Sequence, residues 1–170
     1  LGKTVMLVGL IVTNLHIYNR TLIVMPLALL KQWEEEIVKL TGYRALVYHG
    51  TTKEEITQEK LEFAPIVLTT YGHLLRHQVL KDVSWDRVIF DEGHHLRNET
   101  RIFKESLRVK SRSNWVVTGT PIQNKLDDLF NLLKVIGYSE ITSDESDRLS
   151  RIIKTAVIAR TKKGVGIKLE

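Results

Sequence analysis

Five short apolar runs, separated by amphipathic helical patterns, are the feature that most constrains the fold of this chain. The runs are Thr21–Met25, 45–48, 66–69, 87–90 and 115–118. Apolar strands that alternate with amphipathic helices are typical of a mainly parallel sheet that is covered by helices on both faces. The sequence therefore predicts an α/β fold.

Two of the helical segments carry clear apolar stripes. After Pro26, the predicted stripe consists of Leu30, Trp33, Ile37 and Leu40. After residue 125, it consists of Leu126, Leu129, Phe130, Leu133 and Ile136. We expect Glu35 and Lys39 to pair at i, i+4 on the polar side of the first of these helices.

Composition excludes several classes of protein. The length of 170 residues suits one domain, and the 43% hydrophobic and 26% charged residues are ordinary for a globular protein. With no cysteine, a disulfide framework and a Cys-based zinc site are both excluded. We see no signal peptide, the apolar runs are too short to cross a bilayer, and we expect no membrane partner. The net charge of +5 is compatible with a polyanionic partner.

A possible phosphate-binding segment opens the chain. Gly2, Lys3 and Thr4 directly precede an apolar helical pattern at 5–17. In the second half of a phosphate-binding loop, the lysine reaches the β- and γ-phosphates, the hydroxyl ligates Mg²⁺, and the amides of the helix start donate to phosphate. The glycine that begins the full motif would precede residue 1. The tripeptide alone is also typical of a helix start with a solvent-exposed lysine.

Two acidic residues, Asp91 and Glu92, directly follow the apolar run 87–90. The first carboxylate can hold the hydrated Mg²⁺ of a bound nucleotide, and the second can polarise the attacking water. The same residues would also suit a helix N-cap. His94 and His95 come next, without cysteines or an obvious partner pair, so we expect them to have a coupling or structural role and not to form a metal site.

A polar turn follows the last apolar run. It consists of Thr118, Gly119, Thr120, Pro121, Ile122, Gln123 and Asn124. Such a turn places hydroxyls and amides at the carboxyl edge of a sheet, where open α/β folds bind their ligands. The Lys-Thr, Asp-Glu and Thr-Gly-Thr segments therefore occur in the order that an ATPase lobe requires.

The block 118–124 with the helix after it resembles motif III of the Swi/Snf-like DNA translocases, a branch of the superfamily-two helicases. The similarity extends to 21–37 (motif Ia), 66–71 (motif Ib) and 91–98 (motif II), and to 48–50 and 158–163. In the last segment family members carry two adjacent arginines, whereas here Ala159 precedes Arg160. The resemblance implies the first, nucleotide-binding lobe, a RecA-like three-layer sandwich of the P-loop NTPase type.

The resemblance also implies roles for single residues at the nucleotide. Gly2, Lys3 and Thr4 would hold the phosphates of ATP. Thr4, Asp91 and Glu92 would organise Mg²⁺ and the attacking water, and Lys3, Asp91 and Glu92 would be the catalytic residues.

The remaining motif residues would serve nucleic-acid binding and coupling. Pro26, Leu27 and the turn to Trp33, with Thr69 and Thr70, would line the track for the phosphates of one DNA strand. Strand propensity is the alternative for the two threonines, and core packing is the alternative for Trp33. The coupling of the nucleotide state to the strength of DNA binding would be carried by His94, Thr118, Gly119, Thr120, Gln123 and Asn124.

For the whole protein, the resemblance implies an ATP-dependent translocase on double-stranded DNA that acts in chromatin remodelling or DNA repair. Its partners would be double-stranded DNA, nucleosomes and a second RecA-like lobe of the same polypeptide. The protein would be intracellular, and nuclear in a eukaryote. Two alternatives stay open: an inactive lobe kept as a DNA- or protein-binding scaffold, and a related ATPase such as a strand-separating helicase.

The resemblance also gives domain bounds. We expect residues 1–160 to form the lobe, N-terminally truncated because its first strand and the start of the phosphate loop are missing, and 161–170 to begin a connector. The missing strand should leave an unpaired position inside the sheet. Residues 1–170 alone should lack DNA-stimulated ATPase activity.

Overall fold

The computed structural model describes residues 2–120, 126–138 and 146–158. The strands are β1 (Thr21–Met25), β2 (Leu46–Tyr48), β3 (Ile66–Thr70), β4 (Trp85–Asp91) and β5 (Ser111–Val117). The helices are α1 (Lys3–Thr13), α2 (Leu27–Thr41), α3 (Gln58–Phe63), α4 (Tyr71–Arg76), α5 (Val79–Asp82), α6 (Arg101–Leu107), α7 (Leu126–Val135) and α8 (Ser146–Ala156). Short 3₁₀ helices occur at Thr52–Glu55 and Gly93–Leu96. All five predicted strands are present.

The chain divides into two compact units, Leu1–Ser139 and Glu140–Glu170. The first unit contains the sheet and helices α1 to α7, and the described part of the second contains α8. The predicted lobe end at residue 160 and the predicted connector 161–170 lie outside the described residues, and both stay predictions. None of the helices in the described ranges is long and apolar enough to cross a membrane.

The sheet is parallel, with the strand order β2-β3-β1-β4-β5. Register aligns the ends of the strands: Met25 lies opposite Thr70, and Asp91 opposite Val117. The carboxyl ends of β1, β3, β4 and β5 therefore form one edge of the sheet. This arrangement confirms the predicted α/β class with a mainly parallel sheet.

The prediction of an unpaired position inside the sheet is wrong for the described strands, because each strand pairs with the next one in the spatial order. In the described part of the chain, β5 pairs with β4 on one side. Its residues are mostly half-buried, whereas every residue of β1, β3 and β4 is buried. The order in which strands meet depends on long-range packing, which separate apolar runs in a sequence do not specify.

Two apolar cores lie on opposite faces of the sheet. In β1, Leu22 and Val24 belong to the first core, and Ile23 and Met25 belong to the second, because successive side chains of a strand alternate between faces. Helices α4 to α7 complete the first core with Tyr71, Leu74, Leu80, Phe103 and Leu132. Helices α1 and α2 complete the second with Leu7, Val8, Ile11, Trp33 and Ile37. The fold therefore has the three predicted layers.

Helix α2 differs in detail from its predicted pattern. Leu40 is 46% exposed, and it lies in the last turn of α2, one residue before the helix ends at Thr41. Glu35 pairs with Lys31 at 3.7 Å, and Lys39 pairs with Glu36 at 4.0 Å. The expected Glu35–Lys39 pair is therefore replaced by two neighbouring pairs.

Helix α7 follows its predicted stripe only in part. Leu129 and Leu133 are buried as predicted, but Leu126 is 59% exposed. Leu132 and Val135, which the predicted stripe omits, are buried. The buried face is wider than one i, i+3, i+4 row because α7 packs against both β5 and α6.

An ion pair between a buried lysine and a partly buried glutamate joins the two small helices α5 and α6. Lys81 is 4% exposed, and its ammonium donates to Glu105 Oε2 at 2.5 Å and to the carbonyl of Leu74 at 3.2 Å. The hydrogen bond from Lys81 lowers the pKa of the Glu105 carboxyl. Removing one partner of a buried pair leaves the other charge without compensation, which costs more than the pair itself contributes.

We therefore expect Glu105→Ala to lower the free energy of unfolding by about 3 kcal/mol, because it leaves the buried Lys81 ammonium without its carboxylate partner. The double variant Lys81→Met/Glu105→Leu should recover most of this loss, since no charge is then buried. Urea denaturation measures both. Glu99→Ala is the control: its pair with Lys134 at 3.3 Å is exposed, so its loss should stay below about 1 kcal/mol. Equal losses at Glu105 and Glu99 would contradict the assignment.

Candidate active site

The carboxyl edge of the sheet gathers the polar segments that the sequence singles out. Pro26 follows β1, Thr70 ends β3, Asp91 ends β4, and residues 118–120 follow β5. Since these strands are parallel and in register, their ends lie side by side. Segments nearly a hundred residues apart in the sequence therefore meet at one site.

A lysine and a carboxylate meet at this edge. Lys3 Nζ lies 3.4 Å from Glu92 Oε1, and His94 Nδ1 lies 3.2 Å from Glu92 Oε2. A Cβ built on Gly119 would lie 3.9 Å from Lys3 Nζ, so the turn after β5 adjoins the lysine. The structure thus brings together Lys3, Glu92, His94 and Gly119, four of the predicted site residues.

The backbone at the start of α1 requires a glycine. Gly2 is the N-cap residue and has φ 71° and ψ 6°, the left-handed conformation that residues with a Cβ rarely adopt. Thr4 is half-buried in the first turn of the helix, one residue after Lys3. The three residues therefore form a tight turn into a helix, as a phosphate-binding segment requires.

Glu92 has an unusual backbone. With φ 50° and ψ 49°, it is the one residue other than glycine with a positive φ among those described. Such conformations are costly and occur preferentially at functional sites. The next residue packs closely: a Cβ on Gly93 would lie 2.2 Å from Val116 Cγ1. The backbone of Glu92 is therefore fixed on one side by the end of β4 and on the other by the close contact of Gly93 with β5.

Asp91 is buried, and each of its carboxylate oxygens accepts one hydrogen bond. Its Oδ2 accepts a hydrogen bond from the indole Nε1 of Trp33 at 2.8 Å, and its Oδ1 accepts one from the amide of Glu92 at 2.9 Å. The Tyr71 hydroxyl donates to the Asp91 carbonyl at 2.7 Å. Burial, with the nearby charges of Asp91 and Glu92, raises the pKa of Tyr71 well above its ordinary value. Tyr71 therefore remains a protonated donor at physiological pH.

Arg97 links the Asp91–Glu92 segment to the turn after β5. Its guanidinium donates to Thr120 Oγ1 at 2.7 Å, and the amide of Thr120 donates to Thr118 Oγ1 at 3.2 Å. The carbonyl of Arg97 accepts a hydrogen bond from the buried Asn131 side chain of α7. Gln123 and Asn124, also predicted for coupling, lie outside the described residues.

No group of three or more His, Cys, Asp or Glu side chains that could cage a metal occurs in the described ranges. His94 and His95 contact each other, with ring centroids 4.4 Å apart, and burial lowers the pKa of His95. Asp91 and the Thr4 hydroxyl are oxygen ligands of the type that Mg²⁺ prefers, and Mg²⁺ commonly takes only one or two protein ligands beside substrate phosphates and water. The donor set therefore fits Mg²⁺ bound together with a nucleotide.

A cavity of about 330 Å³ opens beside this edge. Its lining residues are Pro26, Leu27, His49, Thr70, Tyr71, Gly72, His73, Arg76, His95 and Ile102. It brings together Pro26 and Thr70, two of the residues predicted for nucleic-acid contact. The exposed guanidinium of Arg76 supplies a permanent charge.

Two other predicted contacts are corrected by the structure. Thr69 is fully buried, and its hydroxyl donates to the carbonyl of Tyr48 at 3.0 Å, so its side chain supports the sheet and does not face a ligand. Trp33 is also fully buried, as the core-packing alternative required. A strand-end pair such as Thr69–Thr70 presents alternate faces, and the sequence does not say which threonine lines the cavity.

His73 lies on the wall of the cavity. Its Nδ1 is 3.1 Å from Thr70 Oγ1, and its ring lies 4.7 Å from His49 and 5.2 Å from His77, between centroids. Burial, followed by the neighbouring His49 and His77, lowers the pKa of His73 to about 4. His73 is therefore neutral at physiological pH, and the cationic character of the wall comes from Arg76.

The sequence prediction missed several residues at this site. Tyr71 donates a buried hydrogen bond to Asp91, and Arg97 donates a partly buried one to Thr120. Asn131 donates in turn to the carbonyl of Arg97, and Arg76 lines the cavity. Polar residues just after a strand end were the available signal for Tyr71 and Arg97. Asn131 gave a weaker signal, because it is a buried amide within the apolar face of α7.

A parallel sheet that carries a lysine, an Asp-Glu pair and a Thr-Gly-Thr turn at its carboxyl edge is the architecture of RecA-like lobes. Residues 1–165 match the profile of the SNF2-related domain, and the chain belongs to this family. The resemblance stated from the motifs is thereby confirmed.

Relatives and solved structures agree with this placement. The chain is 40% identical over 133 residues to the DNA repair protein rad8 of Schizosaccharomyces pombe, covering 69% of this chain and 12% of the relative. It is 30% identical over 158 residues to the ATP-dependent DNA helicase DDM1 of Arabidopsis thaliana, covering 85% of this chain and 21% of the relative. The Sulfolobus solfataricus SWI2/SNF2 ATPase core in complex with dsDNA superposes with a TM-score of 0.81 at 32% identity, over 95% of this chain and 38% of that one. The chain thus spans a small part of each, and the RecA-like fold is confirmed.

We expect Arg97 and Thr120 to be energetically coupled, because the guanidinium–hydroxyl bond is partly buried. In a double-mutant cycle of Arg97→Met and Thr120→Val, the coupling free energy should be about 1–2 kcal/mol, measured by urea denaturation. The control cycle of Arg108→Met and Thr120→Val should be additive within about 0.5 kcal/mol, since Arg108 pairs with Glu105 on α6. An additive result for Arg97 and Thr120 would show that the bond does not join the two segments.

Proposed function

We propose that this chain is the ATP-binding lobe of an ATP-dependent translocase on double-stranded DNA. One observation carries the proposal: Lys3, Glu92 and Gly119, from three distant motifs, meet at the carboxyl edge of the sheet beside Asp91. This edge is where parallel α/β sheets bind nucleotides. Membership of the SNF2-related family supports the same conclusion.

Each of the residues at this edge would have a separate role in binding or hydrolysing ATP. The Lys3 ammonium would bind the β- and γ-phosphates of ATP, with the amides at the start of α1. Thr4 and Asp91 would hold Mg²⁺, which when bound neutralises charge on the phosphates. Glu92 would orient the attacking water. The ion pair between Lys3 and Glu92 would open when phosphate replaces the carboxylate beside the lysine.

The cavity lined by Pro26, Thr70 and Arg76 would take the phosphate backbone of one DNA strand. A hydroxyl, helix-start amides and a guanidinium bind phosphate without reading bases. The DNA-bound Sulfolobus core is similar to 95% of this chain, which supports a nucleic-acid role.

We also propose a cellular setting, which the names of two relatives support. The DNA repair name of the rad8 relative and the helicase name of DDM1 support action on chromosomal DNA, inside the cell and, in a eukaryote, in the nucleus. We propose nucleosomes as a further substrate and a second RecA-like lobe of the same polypeptide as the partner that completes the site. Residues 118–120 with His94 and Arg97 would couple nucleotide state to that partner.

Two substitutions separate nucleotide binding from hydrolysis. Lys3→Ala should weaken ATP binding by about 10²-fold, because the positive charge that contacts the phosphates is lost. Glu92→Gln should retain ATP binding but slow turnover by at least about 10²-fold. The glutamine side chain keeps the shape of glutamate but lacks the charge that orients water. ATP affinity and phosphate release in the full-length protein measure both.

Lys31→Ala and Glu99→Gln are the matched controls, because both residues lie in ion pairs that include none of the residues proposed to bind nucleotide. They should leave affinity and turnover unchanged. Turnover of Glu92→Gln at the wild-type rate would remove Glu92 from the mechanism. A wild-type protein that binds DNA without hydrolysing ATP would favour the inactive scaffold.

DNA binding should be insensitive to base sequence and steeply weakened by salt, because the proposed contacts go to phosphates. Arg76→Ala should weaken binding equally for unrelated duplexes and reduce the slope of log affinity against log salt by about 1. The control is Arg44→Ala, an exposed arginine just before β2, at the opposite edge of the sheet. A strong sequence preference that persists at high salt would contradict the phosphate-contact proposal.

A further inference from the structure

Both carboxylate oxygens of Asp91 are held by N–H donors. The indole of Trp33 donates to Oδ2 at 2.8 Å, and the amide of Glu92 donates to Oδ1 at 2.9 Å. Asp91 is 4% exposed and Trp33 is fully buried, so bulk water cannot replace the indole donor. The orientation of the carboxylate is therefore set by these two donors.

Trp33 is well suited to hold a carboxylate. Its Nε1–H is a donor only, and the ring is packed in the core between α2 and the sheet. A donor on a packed ring cannot turn to another acceptor without leaving its place. The carboxylate rotamer that Trp33 selects leaves the remaining lone pairs of Asp91 for a ligand at the carboxyl edge.

Trp33 and Tyr71 connect Asp91 to the cavity wall. Helix α2 begins right after Pro26, which lines the cavity, and Trp33 lies in the second turn of this helix. Tyr71 directly follows Thr70, another lining residue, and its hydroxyl donates to the Asp91 carbonyl at 2.7 Å. Two of the segments that line the cavity thus each make one buried hydrogen bond to the same aspartate.

We infer that Trp33 is a positioning residue for Asp91, which fixes the carboxylate that holds Mg²⁺ and ties its orientation to the cavity wall at Pro26. The inference rests on the proposed function, because it assigns Mg²⁺·nucleotide binding to the site of Asp91. Removing the indole N–H leaves Oδ2 buried without its donor, and the orientation of the carboxylate is then no longer fixed. The affinity for Mg²⁺ falls, whereas the contacts of Lys3 with phosphate remain.

The test compares Trp33→Phe with Trp85→Phe in the full-length protein. Trp85 is a matched control: it is 1% exposed, and its indole donates to the carbonyl of Leu80 at 2.8 Å. It begins β4, whereas Asp91 ends the same strand. Both changes keep an aromatic ring and remove one buried indole donor, so their effects on folding are comparable.

Trp33→Phe should raise the Mg²⁺ concentration for half-maximal ATPase activity by about 10-fold or more, as loss of a hydrogen bond to a metal ligand does elsewhere. Turnover should return toward the wild-type rate at saturating Mg²⁺. Trp85→Phe should keep the wild-type Mg²⁺ midpoint. An unchanged midpoint in Trp33→Phe would overturn the inference, as would a loss of turnover that Mg²⁺ does not restore.

A second measurement does not depend on turnover. With 5-fluorotryptophan incorporated, the ¹⁹F resonance of Trp33, assigned by its absence in Trp33→Phe, should shift when Mg²⁺ is added to the ADP-bound protein. The Trp85 resonance should stay in place. If the wild-type protein hydrolyses no ATP, the proposed function fails and the ¹⁹F shift alone decides: a Mg²⁺-dependent shift of Trp33 supports the positioning role, and no shift overturns it.

Discussion

The parallel pairing of β1 with β3 and β4, and of β4 with β5, is the constraint on which the rest of the structure depends. Because these strands run in the same direction and in register, the segments that follow them must leave the sheet at one edge. The buried, β-branched strands make this arrangement stable, since each is covered on both faces by helices. The meeting of these segments at one edge is a consequence of the topology.

At that edge, the predicted motifs contact one another through a few polar bonds. Lys3 pairs with Glu92, Arg97 donates to Thr120, and Trp33 donates to Asp91. Most of these groups are buried or half-buried, where an unmatched polar atom is costly, so a change at one motif alters its neighbours. The Lys3–Glu92 pair and the cavity wall are therefore parts of one polar network.

Much of the fold was predictable because strand and helix patterns are local. The five strands and the core face of α2 follow from the periodicity of apolar residues, with β5 beginning at Ser111, four residues before the predicted 115. The strand order was not predictable, and the expectation of a gap inside the sheet was wrong. Leu40 and Leu126 show the same limit, because a helical stripe does not state how far a neighbouring element covers it.

For the candidate site, the sequence by itself determined the residue types and their order along the chain: a glycine-lysine-threonine helix start, an Asp-Glu pair after a strand, and a Thr-Gly-Thr turn. These residue types can be recognised in the sequence without knowing how the strands pair or how the helices pack. Only the tertiary structure decided which groups meet: that Thr69 faces inward while Thr70 lines the cavity, and that the buried Trp33 holds Asp91. The physical reason is that a hydrogen bond between residues 58 positions apart depends on how α2 packs against β4, and no local pattern records that packing.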